Sequence, residues 1–301
     1  MKKIFKTTII CVSALAITSC NDWLDTKSDS QLDESALYTS VESIKLATYG
    51  VYADLCDEPY TQLMTIHQGA GTDIELIDGI GQTATGDNER GGMNYNATTS
   101  WAKLGVLWEK QYKTIEDCNR IVDGIKTSSL SADPEVMKYS AEVRVIRAMV
   151  YLDLIRVFGD IPFQWGGAKS DLSNVNVGKT DRDIILDALI ADLEAVVAED
   201  KLPWCGSGVS SEHVNMGYAR GLLANIYMTR AGFALRENNN AEAEAGGYSS
   251  NERVAAGYVK TDPYSGTETY SDDEYQTLRP LDADRAMLYT KALGHLKAVI
   301  E

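Results

Sequence analysis

The side chains that could do covalent chemistry are few and scattered. His67, His213 and His295 lie far apart, with no HxxH or HExxH spacing to set two of them one helical turn apart over a metal. There is no GxSxG nucleophile turn and no pair of cysteines at metal-ligand spacing. Asp272 and Asp273 are adjacent carboxylates of a kind that is common by chance and usually solvated. Gly79, Gly81 and Ala84 fit the dinucleotide pattern GxGxxA, but only a short strand candidate precedes them and no helical period follows directly, so nucleotide binding is set aside. No catalytic residue, metal ligand or cofactor is expected.

What remains is binding chemistry. The stretch from Tyr60 to Ser100 is punctuated by Gly69, Gly71, Gly79, Gly81, Gly86, Gly91 and Gly92, and a connection this long often carries a site. It gathers Asp73, Arg90, Tyr95 and Asn96 just ahead of Trp101. Tyr95 and Trp101 are expected to be stacking platforms, and Arg90 and Asn96 to be readers of hydroxyl groups. The alternative is that Trp101 packs at the start of its helix while the others are solvated. A second aperiodic stretch, Arg236 to Pro280, carries Tyr248, Tyr258, Tyr264, Tyr270 and Tyr275 as either hairpin formers or a binding surface.

The elements that must position these loops are helices. Val136, Val143, Ile146, Val150, Leu154 and Val157 step by threes, fours and one seven, which lays an apolar stripe along a helix and leaves Lys138, Glu142, Arg144 and Asp153 largely off it. Pro134 after Asp133 opens this helix, and Gly159 with Pro162 stops it. Arg147 and Arg156 flank the stripe and are expected to pair with carboxylates between neighbouring helices. Trp101, Leu104, Trp108, Tyr112, Ile115, Cys118, Val122 and Ile125 predict a helix before it. Others are predicted from a Ser40 cap to closure at Pro59, from Asp181 to Val197, from a Ser211 cap over Glu212 to Phe233, and from Leu288 onward. Gly217, Ala219, Gly221 and Ala224 let a second helix approach closely. Helical pairs without convincing β-alternation predict an all-α layered or solenoid body. Tetratricopeptide pairs are the closest repeat type, although no clean 34-residue period shows.

The chain opens with Lys2, Lys3 and Lys6, an apolar run from Thr8 to Ile17, and small residues before Cys20. This reads as an export signal over residues 1–19 that is too short to span a bilayer. Ile17, Thr18, Ser19 and Cys20 resemble a bacterial lipobox, in which Cys20 carries the lipid. Residues 20–39 form a polar tether, and 40–301 the folded domain. Net charge is −16, and loss of the three leader lysines makes it −19. Such a surface repels phosphate backbones, which argues against a nucleic-acid partner. Beyond Cys11 and Cys20 the remaining Cys56, Cys118 and Cys205 are odd in number, so no structural disulfide is expected, and Cys118 reads as a small core residue.

CNDWLD from Cys20 to Asp25 resembles the start of the SusD/RagB family of outer-membrane nutrient-binding lipoproteins. So do Trp108, Tyr112, Ile115 and Asn119 in WEKQYKTIEDCN, and the stretches RAMVYLDLIRVFGDIPF, DALIADLEAVVAEDKLP and HVNMGYARGLLANIYM, in the family's order. The resemblance implies a superhelix of tetratricopeptide-like helix pairs with long ligand-binding loops. It implies a glycan ligand, a partner in a SusC-like TonB-dependent transporter, lipid anchoring at the outer membrane facing the cell exterior, and no catalysis. Loops rich in Tyr, Trp, Asn and Asp suit sugars, whose CH faces stack on rings and whose hydroxyls pair with amides and carboxylates. The alternatives are a peptide-binding member of the family and a transporter-docking scaffold with no ligand site. Members are usually much longer, so the chain is expected to be incomplete at its C-terminus.

Overall fold

The computed structural model describes residues 37–64, 99–206, 212–232, 234–237, 259–260, 275–280 and 282–301. The chain divides into residues 1–37 and 38–301, and every element below belongs to the second unit. Among the described residues six helices dominate: α1 (Val41–Asp54), α2 (Ala102–Thr127), α3 (Pro134–Phe158), α4 (Arg182–Glu199), α5 (Met216–Ala231) and α6 (Asp282–Ile300). From α2 to α5 each packs on its neighbour in sequence, α1 packs on both α2 and α3, and α6 closes on α5. This is the all-α layered body that the spacing predicts, and one hydrophobic cluster runs through all six helices.

The central helix forms as its sequence dictates. The Asp133 carboxylate accepts the Glu135 and Val136 N–H groups, Pro134 follows at the first helical position, and Gly159 ends the helix at φ 76°, a backbone that only glycine adopts without strain. The stripe residues Val136, Val143, Ile146, Val150 and Leu154 are buried. Glu142 and Asp153, expected largely off the stripe, are buried as well, because α3 packs against α1, α2, α4 and α5 and so has little solvent face. Each carboxylate receives a donor from far away in sequence, Glu142 from Tyr52 at 2.7 Å and Asp153 from Tyr60 at 3.2 Å.

The arginines of α3 staple it to its neighbours. Arg144 reaches Asp192 at 2.7 Å and Glu199 at 2.8 Å on α4, and Arg147 reaches Asp192 at 3.0 Å, as expected of a cation between helices. Arg156 differs: its carboxylate partner is Asp153 of its own helix at 3.6 Å, and across to α5 it donates to the Asn225 amide oxygen at 2.9 Å.

Three helix boundaries depart from expectation, and the simplest is α6, which begins at Asp282, ahead of Leu288. Helix α1 starts after the Ser40 cap but stops at Asp54, and Pro59 opens a single π-helical turn, Pro59–Leu63, where its missing N–H costs nothing. Helix α5 is capped by Asn215, whose side chain accepts the Tyr218 N–H, and begins later than a Ser211 cap would allow. The cause is tertiary: Val214 N–H donates to the Tyr52 hydroxyl and Met216 N–H to the Pro203 carbonyl, so this backbone is tied across the core before the helix begins. Ala219 and Ala224 are buried on α5, and Gly217 lies against Val299 of α6, the close approach that small residues allow. Cys118 is a buried core thiol.

Among the described residues two small antiparallel sheets sit between helices. The first pairs β1 (Ile161–Pro162) with β2 (Lys179–Thr180) and pins together both ends of the 163–178 loop. The second has the order β3-β5-β4, from β3 (Ala234–Glu237), β4 (Val259–Lys260) and β5 (Tyr275–Arg279). The aperiodic 236–280 stretch therefore contributes strands, with Tyr275 in β5, while Tyr248, Tyr258, Tyr264 and Tyr270 lie outside the described residues. Among the described residues no helix is long and apolar enough to cross a membrane.

Candidate functional site

Of the residues singled out from sequence, Cys20, Arg90, Tyr95 and Asn96 lie outside the described residues. Trp101 is described, and it is 4% exposed at the N-terminus of α2, in a small apolar cluster with Leu63 and Leu107. Little of its ring is open to a ligand.

The structure opens a cleft elsewhere, of about 380 Å³, between α2, α3 and the 162–177 stretch. One wall is α2, which presents Trp108, Tyr112, Ile115, Glu116 and Asn119. These lie at steps of four, three, one and three, so a single helical face carries two rings, an aliphatic side chain, a carboxylate and an amide. Tyr151 of α3 lines the cleft with Pro162, Gln164 and Ala168, and Val175 and Val177 complete it from the far part of the loop. The Trp108 and Tyr112 rings are 4.7 Å apart and tilted, and Phe158 meets Trp108 edge-on at 5.0 Å, which holds the indole in place.

The loop is held on α2 by polar side chains three or four residues apart. The Glu116 carboxylate accepts the Ala168 N–H at 2.9 Å, the Asn119 amide donates to the Gln164 and Gly166 carbonyls at 3.3 Å each, and the Asp123 carboxylate accepts the Gly167 N–H at 3.0 Å. A Cβ at Gly167 would come within 3.1 Å of Arg120 on α2, so the absence of a side chain lets the loop lie this close. Asn119 is itself oriented by Arg147, which donates to its amide oxygen at 2.8 Å. The Tyr112 hydroxyl donates to the Pro162 carbonyl and the Tyr151 hydroxyl to the Gln164 carbonyl, both at 2.7 Å.

Electrostatically the cleft is quiet. Burial raises the Tyr112 hydroxyl well above its ordinary range and pushes Tyr151 up to about 12, so both rings are neutral donors at physiological pH. Among the described residues Glu116 is the one carboxylate of the lining, and it is engaged by Ala168 N–H and by Arg120 Nε at 2.7 Å. Among the described residues the lining holds no histidine, cysteine or second carboxylate, and what it presents is mainly aromatic and aliphatic. Among the described residues no three His, Cys, Asp or Glu side chains gather to hold a metal ion. The sequence pattern placed Trp108 and Tyr112 in an apolar stripe. The sign that this face is more than core is Glu116 and Asn119 within the same stripe.

The comparisons with known proteins agree with this architecture. The family model described as "Starch-binding associating with outer membrane", SusD-like, matches residues 22–228. The SusD-like protein P2 of Formosa agariphila is 28% identical over 240 residues, covering 77% of this chain and 44% of the relative. A SusD homolog from Bacteroides thetaiotaomicron has the same fold at TM-score 0.57 and 22% identity, over 69% of this chain and 39% of that one. The surface glycan-binding protein A of Bacteroides thetaiotaomicron, solved with laminarihexaose, aligns at TM-score 0.50 and 19% identity, over 62% of this chain and 38% of its own. The chain thus spans less than half the length of these relatives. The family match takes in the helices α1 to α4, most of α5 and both walls of the cleft, well over half of the 301 residues, and on that ground the chain belongs to the SusD-like family.

Proposed function

We propose that this chain belongs to a non-enzymatic cell-surface glycan-binding lipoprotein, anchored through lipid on Cys20 in the outer membrane, which hands its ligand to a SusC-like TonB-dependent transporter. The cleft between α2 and the 163–178 loop is the observation that carries the reading. Its wall of Trp108 and Tyr112 suits the CH face of a pyranose, and Gln164 lies beside the rings as a partner for hydroxyls, while Asn119 and Glu116 hold the loop that shapes the cleft. The family description names starch, and one neighbour of the same fold was solved with a glucan hexasaccharide. Arg90, Tyr95, Asn96 and Trp101 are proposed as a second part of the ligand surface at and before the start of α2, where Trp101 itself is nearly buried.

The experiment is a titration of neutral poly- and oligosaccharides into the full chain, followed by the same titration of Trp108→Ala and Tyr95→Ala. Loss of one stacking ring should weaken binding by about 0.5 to 1.5 kcal/mol beyond lost burial. Undiminished affinity in a folded Trp108→Ala protein removes the cleft from the site. Binding of peptides instead of sugars, or of neither, replaces the glycan reading with one of the two alternatives.

A further inference from the structure

The 163–178 loop carries a second aromatic surface that lies outside the cleft lining. Trp165 follows Gln164, a cleft residue, and precedes the two glycines that lie on α2. Trp165 is 37% exposed. An exposed tryptophan is ordinarily free to change rotamer, but this one is fixed from beneath. The Arg147 guanidinium carbon lies 3.9 Å from the ring centroid, and Arg147 is only 3% exposed. The guanidinium is itself immobilised, donating to the Asn119 amide oxygen at 2.8 Å and to Asp192 at 3.0 Å. A desolvated cation under an indole is a strong form of this contact. Phe163 at 5.1 Å and Tyr151 at 6.4 Å brace the ring further. The inner face of Trp165 is thus held by a buried cation while part of the ring stays in water in a set orientation.

A ring braced in this way is a pre-oriented platform, and rigidity lowers the ordering cost of stacking a ligand on it. Asn119 ties the two surfaces together: it lines the cleft, holds the Gln164 and Gly166 carbonyls on either side of Trp165, and fixes the arginine beneath the indole.

We infer that Trp165 is a second stacking platform at the rim of the cleft, so that the site takes a neutral oligosaccharide along several sugar units rather than one terminal sugar. This rests on the glycan reading of the cleft. The net charge of −16 disfavours uronic or sulfated sugars and so points to a neutral ligand. Two platforms on one ligand make the second contact intramolecular, so affinity climbs with chain length until both are spanned.

The test is calorimetric titration of the full chain in detergent with maltohexaose, laminarihexaose and the corresponding disaccharides, for wild type, Trp165→Ala and Trp165→Leu. Leucine keeps an apolar cover over Arg147 and removes the aromatic face, and circular dichroism confirms that each variant is folded. Wild type should bind at least one hexasaccharide about 10-fold tighter than its disaccharide, on the scale of linked contacts. Both variants should lose about 3- to 10-fold for the hexasaccharide, the range of one aromatic contact, and leave the disaccharide within about 2-fold. Unchanged hexasaccharide affinity in a folded variant, or equal losses at both lengths, overturns the platform and leaves the cleft reading intact. Absence of glycan binding in wild type overturns both.

Discussion

The Tyr52 hydroxyl donates to Glu142 Oε2 at 2.7 Å and accepts the Val214 N–H at 2.9 Å, so a single oxygen joins α1, the central helix and the approach to α5. Glu142 is 1% exposed, and its other neighbour at this point is His213 Nδ1 at 3.3 Å. Burial, with the Glu142 charge acting the same way, raises the Tyr52 hydroxyl far above its ordinary range and keeps it a donor at any physiological pH. Tyr52→Phe leaves a buried carboxylate short of a donor and a backbone N–H without an acceptor. The expected loss is about 2 to 3 kcal/mol, read as a lowered urea midpoint at unchanged slope. A midpoint within error of wild type would show that neither bond matters.

Leu154 is fully buried on the stripe of α3. Leu154→Ala should cost about 2 to 5 kcal/mol through lost transfer free energy and the cavity left behind. Thermal unfolding reads this directly, and an unchanged transition would contradict the central place of this helix.

Asp153 sets a pH dependence. Burial raises its carboxyl from 3.8 to about 6, outweighing the Arg156 charge and the hydrogen bond from Tyr60 that act in the opposite direction. A raised folded value means that the folded state holds this proton more tightly, so the stabilisation is complete below the unfolded value and is lost as pH rises through about 6. A shift of two units corresponds to about 3 kcal/mol. Asp153→Asn keeps an acceptor for Tyr60 and carries no charge, so its stability relative to wild type should rise between pH 4 and pH 7. Parallel profiles from denaturation at pH 4.5, 5.5, 6.5 and 7.5 would rule this out.

Cys20 is the proposed lipid site. Cys20→Ala should move the protein from the membrane to the soluble fraction, because a lipoprotein cysteine carries more than one acyl chain, enough for stable attachment where a single chain is marginal. Fractionation followed by immunoblotting measures it, and a variant that stays with the membrane refutes the lipid anchor.

The sequence by itself determined what depends on residues a few positions apart. The Ser40, Asp133 and Asp181 caps stand where their side chains reach N–H groups two or three residues on, and the Gly159 stop needs only its own backbone freedom. The apolar period of α2, α3 and α4 is likewise local, and so are the motifs whose order pointed to the family.

Tertiary structure decided everything that joins distant stretches. Glu142 and Asp153 are inside because Tyr52 and Tyr60 arrive from about 90 residues away to satisfy them. Helix α5 starts at Met216 because Tyr52 already holds the backbone of Val214. Strand β3 finds β5 across a stretch with no legible period, since strand pairing is read between segments and not along one. The cleft belongs to the same class. A stripe of Trp108, Tyr112, Ile115 and Asn119 spells one helical face whether it is core or site, and only the loop that returns across it, held by Glu116, Asn119 and Asp123, leaves that face open on one side.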